Sequence, residues 1–108
     1  MLKLSKTQLI LLKDFIDRYY SSVFSAISRL TRLSDRKELE TLTEEVLADL
    51  WLHKEAFDAE SRQGIFIYRT VLYHVFAYLK RKGDEERITF LQKTLLINPD
   101  LYRRLEDN

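Results

Sequence analysis

The chain has no cysteine, two glycines and one proline among 108 residues. Without cysteine there is no disulfide and no thiolate metal site, and such a composition fits a reducing cytoplasm. So few glycines and prolines leave little material for β-hairpins, whose turns need Gly, Asn and Pro at fixed positions. An all-α fold is therefore expected. No apolar run approaches the length of a membrane span, so no membrane partner is expected. The run Leu9–Leu12 is short, is followed by Lys13-Asp14 and lacks a small-residue cleavage site. It does not read as a signal peptide. A Gly-rich phosphate loop is missing, and no serine sits in a nucleophile elbow. His53 and His74 fall on different predicted elements, without the His-Glu-x-x-His spacing of a zinc site. These absences point away from an enzyme and from a bound cofactor.

What remains suits one folded domain. An apolar share of 45% excludes general disorder. A chain of this length can bury a core without staples. The net charge of +1 hides an uneven layout. Residues 34–62 carry nine acids against four bases, whereas residues 63–83 carry no acid and four bases. Such segregation permits two partners of opposite preference.

Helix signals are strong. Ser5 and Gln8 form a capping-box pattern. Leu9, Leu12, Phe15, Ile16, Tyr19, Val23, Phe24, Ile27 and Leu30 then follow at spacings of three and four, mark one buried face and predict a helix from Lys6 to Thr31. Ser34 or Asp35 can cap a second helix, with Glu38 placed to complete a box with Asp35. Its apolar stripe is Leu39, Leu42, Val46, Leu50 and Trp51. His53 to Gly64 lacks a helical period and reads as a loop with room for a partial turn. A third helix is predicted from Gly64 to Lys82, apolar nearly all round. Gly83 suits the left-handed residue after it. Asp84 can cap a fourth helix with Ile88, Leu91, Leu95 and Leu96 inward. Asn98-Pro99 predicts a short last helix to about Leu105.

Taken singly, the charged and aromatic groups have ordinary explanations. Glu44, Glu45 and Asp49 suit a solvated helix face. Lys80, Arg81 and Lys82 complement a helix C-terminus. Phe66 and Tyr73 suit a core. Taken together, Phe66, Arg69, Tyr73 and Lys80 recur at spacings of three, four and seven on one side of the third helix. An aromatic face bordered by cations can stack unpaired bases and neutralise their phosphates.

In order and spacing, these pieces resemble the second conserved region of bacterial RNA polymerase sigma factors, closest to the extracytoplasmic-function group. The resemblance covers residues 12–82. It is carried by Tyr19-Tyr20-Ser21-Ser22-Val23-Phe24, by the helix Thr41 to Trp51, by Phe57-Asp58, by Phe66 to Tyr73, and by the basic end Lys80-Arg81-Lys82. It implies that the second helix docks on the clamp coiled coil of core RNA polymerase, with Thr41, Glu44, Glu45 and Asp49 on that face. It further implies that the loop and third helix hold single-stranded promoter DNA of the minus-ten element. Phe57, Arg62, Phe66, Arg69 and Tyr73 would line the DNA side, with Lys80, Arg81 and Lys82 on phosphates. An anti-sigma factor is an implied further partner.

The chain departs from the family pattern at several of these positions. The family's Asp and Gln in the second helix are Thr41 and Glu44, and a basic residue near Asp49 is replaced by an acid. The family's Trp is Phe66, the Asn of its base pocket is Tyr73, and a later Asp is Ala77. Tyrosine cannot offer the paired donor and acceptor of an amide. Residues 84–108 are too few for the helix-turn-helix that reads the minus-thirty-five element.

The expectation is thus an all-α bundle of three main helices with a short C-terminal helical tail. Residues 1–83 form the sigma-like domain, and residues 84–108 are a helical extension packed on it or leading to a second domain. The expected role is a cytoplasmic, non-catalytic transcription module that binds polymerase and helps recognise or melt minus-ten DNA. Two alternatives are a regulator that binds polymerase or a sigma partner without reading DNA, and a structural protein that oligomerises through its aromatic helix.

Overall fold

The structure is a computed structural model that describes residues 5–59 and 63–97. It is all-helical, with α1 at Lys6–Thr31, α2 at Arg36–Leu52, α3 at Lys54–Ala59, α4 at Gln63–Lys82 and α5 at Glu85–Ile97. Among the described residues there is no strand, and no helix is long and apolar enough to cross a membrane. The predicted helix at 99–105, the inward side chain of Leu96 and the site candidate Arg62 lie outside what is described.

Local chemistry accounts for the helix ends. The Ser5 hydroxyl accepts from the Gln8 amide at 3.1 Å, and the Gln8 side chain accepts from the Ser5 amide at 2.8 Å. Both bonds satisfy amides that a helix start leaves open. Helix α1 stops at Arg32, which is left-handed at φ 54°. Its guanidinium lies 4.6 Å from the Phe90 ring centre, a cation–π contact that helps hold this uncommon conformation. Asp35 caps α2 through the Lys37 and Glu38 amides. The expected reciprocal bond from Glu38 is not its role here, because its carboxylate turns to α4 instead. At the end of α4, the Gly83 amide reaches the Lys80 carbonyl and the Asp84 amide reaches the Leu79 carbonyl. This paired closure places Gly83 at φ +73°, a conformation that favours glycine.

The core is one continuous apolar cluster. Val23 and Ile27 of α1, Leu42, Val46 and Leu50 of α2, and Val71, Val75 and Leu79 of α4 are fully buried. Ile88 and Leu91 of α5 join the same cluster, so the C-terminal helix packs on the bundle. The two buried threonines satisfy their own hydroxyls, with Thr31 bonded to the Ile27 carbonyl and Thr43 to the Leu39 carbonyl, both at 2.7 Å. At one end of the bundle an aromatic group closes the core. Phe57 meets Phe15, Tyr19 and Phe66 edge-on, at ring-centre distances of 5.9, 5.2 and 5.6 Å. The 53–64 stretch read as a loop therefore holds a real but short helix. Its six residues are too few to show a period, and Phe57 is its one buried anchor.

Candidate functional site

The charge segregation seen along the chain meets itself across the α2/α4 contact. Glu38 accepts from the Tyr78 hydroxyl at 2.6 Å and from the Lys82 ammonium at 2.9 and 3.0 Å. Glu45 lies 3.9 Å from the Arg81 guanidinium. Asp49 sits between two imidazoles, with His74 Nε2 at 2.7 Å and His53 Nδ1 at 2.8 Å. Rising numbers on α2 meet falling numbers on α4, so the helices run roughly antiparallel along this ladder of contacts.

The ladder shifts the ionisation of its members. The hydrogen bond from Tyr78, followed by that from Lys82, holds the Glu38 carboxyl below its ordinary value. Burial, and then the bond to Glu38, pushes the Tyr78 phenol up to about 12. The Asp49 carbonyl beside His53 raises that imidazole, and the Asp49 carboxylate adds to it. The Glu38 shift has a checkable consequence. Because its folded value is depressed, its stabilising contribution is complete above the unfolded value of 4.5 and is lost as pH falls through the folded value. Glu38→Gln is expected to cost about 1 kcal/mol at neutral pH and to flatten the acid limb of the stability curve below that point. Urea titrations at neutral pH and at about pH 3 measure both effects.

The residues expected to face polymerase divide into two groups. Thr41 and Glu44 are exposed on the outer side of α2. Glu45 is partly exposed beside Arg81, and Asp49 is held by the two histidines. Sequence reasoning missed that Ala48 and Leu52 continue the outer strip from Glu44 at successive spacings of four. Leu52 is 69% exposed at the end of that strip. The signal was present as a break in the apolar pattern, because Leu52 lies off the stripe of Leu39, Leu42, Val46 and Leu50.

The residues expected to face DNA also divide. Arg69, Tyr73 and Lys80 are exposed along one side of α4. With Leu72, Phe76 and Ala77 they line a shallow groove of about 590 Å³. Tyr73 is 70% exposed, and the edge of its packing rests on His74 at a ring-centre distance of 5.3 Å. Phe57 does not belong to this face. It is fully buried, since three aromatic rings surround it and water would have to replace them. Phe66 is half-buried and packs against Phe57 rather than standing free. Lys82 is turned onto Glu38 at 2.9 Å, and Arg81 lies 3.9 Å from Glu45. Of the four cations of α4, Arg69 and Lys80 line the groove.

The candidate site consists of two surfaces, one on α2 and one on α4. Among the described residues, no group of three or more His, Asp or Glu is placed to hold a metal ion. The α2 strip presents acid and apolar groups, and the α4 groove presents aromatic and cationic groups, with the ladder between them. Comparison of the chain with protein-family models, with curated proteins and with solved structures finds no match.

Proposed function

We propose that this protein is a sigma-like transcription module that docks on core RNA polymerase through the outer strip of α2. The observation that carries the reading is the exposed line Thr41, Glu44, Ala48 and Leu52, one turn apart from residue to residue. A small residue at Ala48 lets a partner helix approach, Leu52 offers it an apolar anchor, and Glu44 matches a cation. A coiled coil on the polymerase clamp has the shape for such a strip. The resemblance of residues 12–82 to the sigma second region names that partner.

The α4 groove supplies the second half of the reading. Tyr73 gives a ring on which a base can stack, and Arg69 and Lys80 give cations for the flanking phosphates. Single-stranded DNA of the minus-ten element is the ligand this surface would take. One observation favours a second reading, in which the protein docks on polymerase without holding DNA. Arg81 and Lys82, two of the cations in the basic end, are engaged by Glu45 and Glu38. Fewer available cations mean fewer phosphate contacts and a smaller salt dependence.

Capture of purified bacterial core polymerase by the immobilised protein tests the docking face. Glu44→Arg is expected to weaken capture by about tenfold or more, because reversal replaces attraction by repulsion at an interface. The same variant should melt at the wild-type temperature, since Glu44 is exposed. Undiminished capture would remove α2 as the docking helix. A promoter-strand oligonucleotide then separates the two readings, as binding to it is expected only in the first.

A further inference from the structure

The core-facing stripe of α1 does not end where the bundle ends. From Ser5 to Asp14 every side chain of the helix is exposed except Leu12, which is half-buried, and Phe15 is the first buried residue. Leu9, Ile10, Leu11 and Ile16 are 52%, 61%, 48% and 36% exposed, so the buried face expected from the spacing is not covered at Leu9 and Ile16. All four belong to the six large hydrophobic side chains that stand exposed among the described residues. Such concentration differs from the scattered apolar residues of an ordinary surface. Leu9, Leu12 and Ile16 follow at spacings of three and four, and they continue the side that carries Tyr19 and Val23. A helical stretch this short is marginal in water without packing, even with the Ser5 and Gln8 cap.

We infer that this overhanging stripe of α1 pairs, antiparallel, with the same stripe of a second copy of the chain. Charge selects that occupant. Lys6 stands at the start of the stretch, Lys13 within it, and Asp14 and Asp17 toward its end, so the strip is neutral as a whole. A strongly acidic or basic partner would find no matching charge on it. Parallel pairing would set Lys6 against Lys6 and Asp17 against Asp17. Antiparallel pairing brings Lys6 within reach of the second copy's Asp17, on the flank where Asp17 already accepts from Lys13 at 3.1 Å. The two helix dipoles then also oppose each other. The Lys6–Asp17 register puts the midpoint between Leu11 and Leu12, on the exposed stretch ahead of Phe15.

Four partly exposed side chains per copy bury less than the roughly 1,000 Å² of a stable interface, so the dimer is weak and depends on concentration. Sedimentation velocity on the full chain, from about 10 µM to about 1 mM, is expected to show a monomer giving way to a dimer. Leu9→Gln with Ile16→Gln should move the midpoint at least tenfold higher while helical content is unchanged. Lys6→Glu and Asp17→Lys should each weaken the dimer, and the two together in one chain should restore it. A monomer at every concentration overturns the inference, as does a dimer indifferent to the Leu9 and Ile16 changes. Equal association in the single and double charge variants overturns the antiparallel pairing. A dimer lost instead on Tyr73→Ser places the contact on α4. A monomer whose Leu9→Gln variant loses polymerase capture assigns the stripe to polymerase. Either result sinks the proposal, and none of these outcomes bears on Glu44.

Discussion

Phe57→Ala is expected to lower the unfolding free energy by about 3 to 5 kcal/mol, the range for removing a buried phenylalanine. The residue is fully buried, and it touches rings from both α1 and α4. Its loss would leave a cavity bounded by rings that cannot collapse into it without leaving α1 or α4. Helix α3 would suffer further, since six residues cannot hold a helix alone and Phe57 is its buried anchor. The surface pair Lys54 and Asp58, at 2.6 Å, is too exposed to compensate. For a domain of this size the melting temperature should fall by about 12 °C or more. Calorimetry measures it directly. A melt within a few degrees of wild type would mean that Phe57 is not the keystone of the aromatic end, and would reopen a surface role for it.

Tyr73→Ala should do the opposite. The side chain is 70% exposed, so the stability change should stay within about 0.5 kcal/mol. Under the proposed function, single-stranded minus-ten DNA should bind about 1 to 3 kcal/mol more weakly, which is roughly 5-fold to 150-fold. The loss comes from the stacking ring, so it should persist at high salt. Lys80→Ala should instead reduce the salt dependence by about one phosphate contact. Fluorescence anisotropy across a salt series distinguishes the two. Equal affinity of wild type and Tyr73→Ala for the oligonucleotide would remove the groove as a DNA site and favour docking alone.

The contrast between these two aromatics shows what can be read from residue order. Periodicity and caps place α1 from Lys6 to Thr31 and end α4 at Lys82, because helix chemistry is local. Helix α3 escapes that reading, since its one buried residue sets no period. Motif position carries Phe57 and Tyr73 to the same DNA face, but burial separates them, and burial depends on what α1 brings to the far side. The acids and bases were visible as two blocks on successive helices. Their mutual pairing was not, because composition gives the charge on each helix and not the direction in which it points. Glu38 illustrates the difference. Its spacing from Asp35 suits a capping box, yet Tyr78 and Lys82 claim its carboxylate. Glu44 was legible as surface, whereas Thr41 was placed beside it by the resemblance alone, and the Ala48 and Leu52 extension of their strip emerges only when the buried side of α2 is known.

The contacts from Glu38 to Lys82 and from Asp49 to His74 also set an angle. They pin α2 to α4 at two points along the shared axis, so neither helix can roll without breaking one of them. Any two macromolecules held on the outer strip and in the groove would be oriented relative to each other like two arms of a rigid bracket. Loosening one pin would leave each grip intact and spoil the alignment between them.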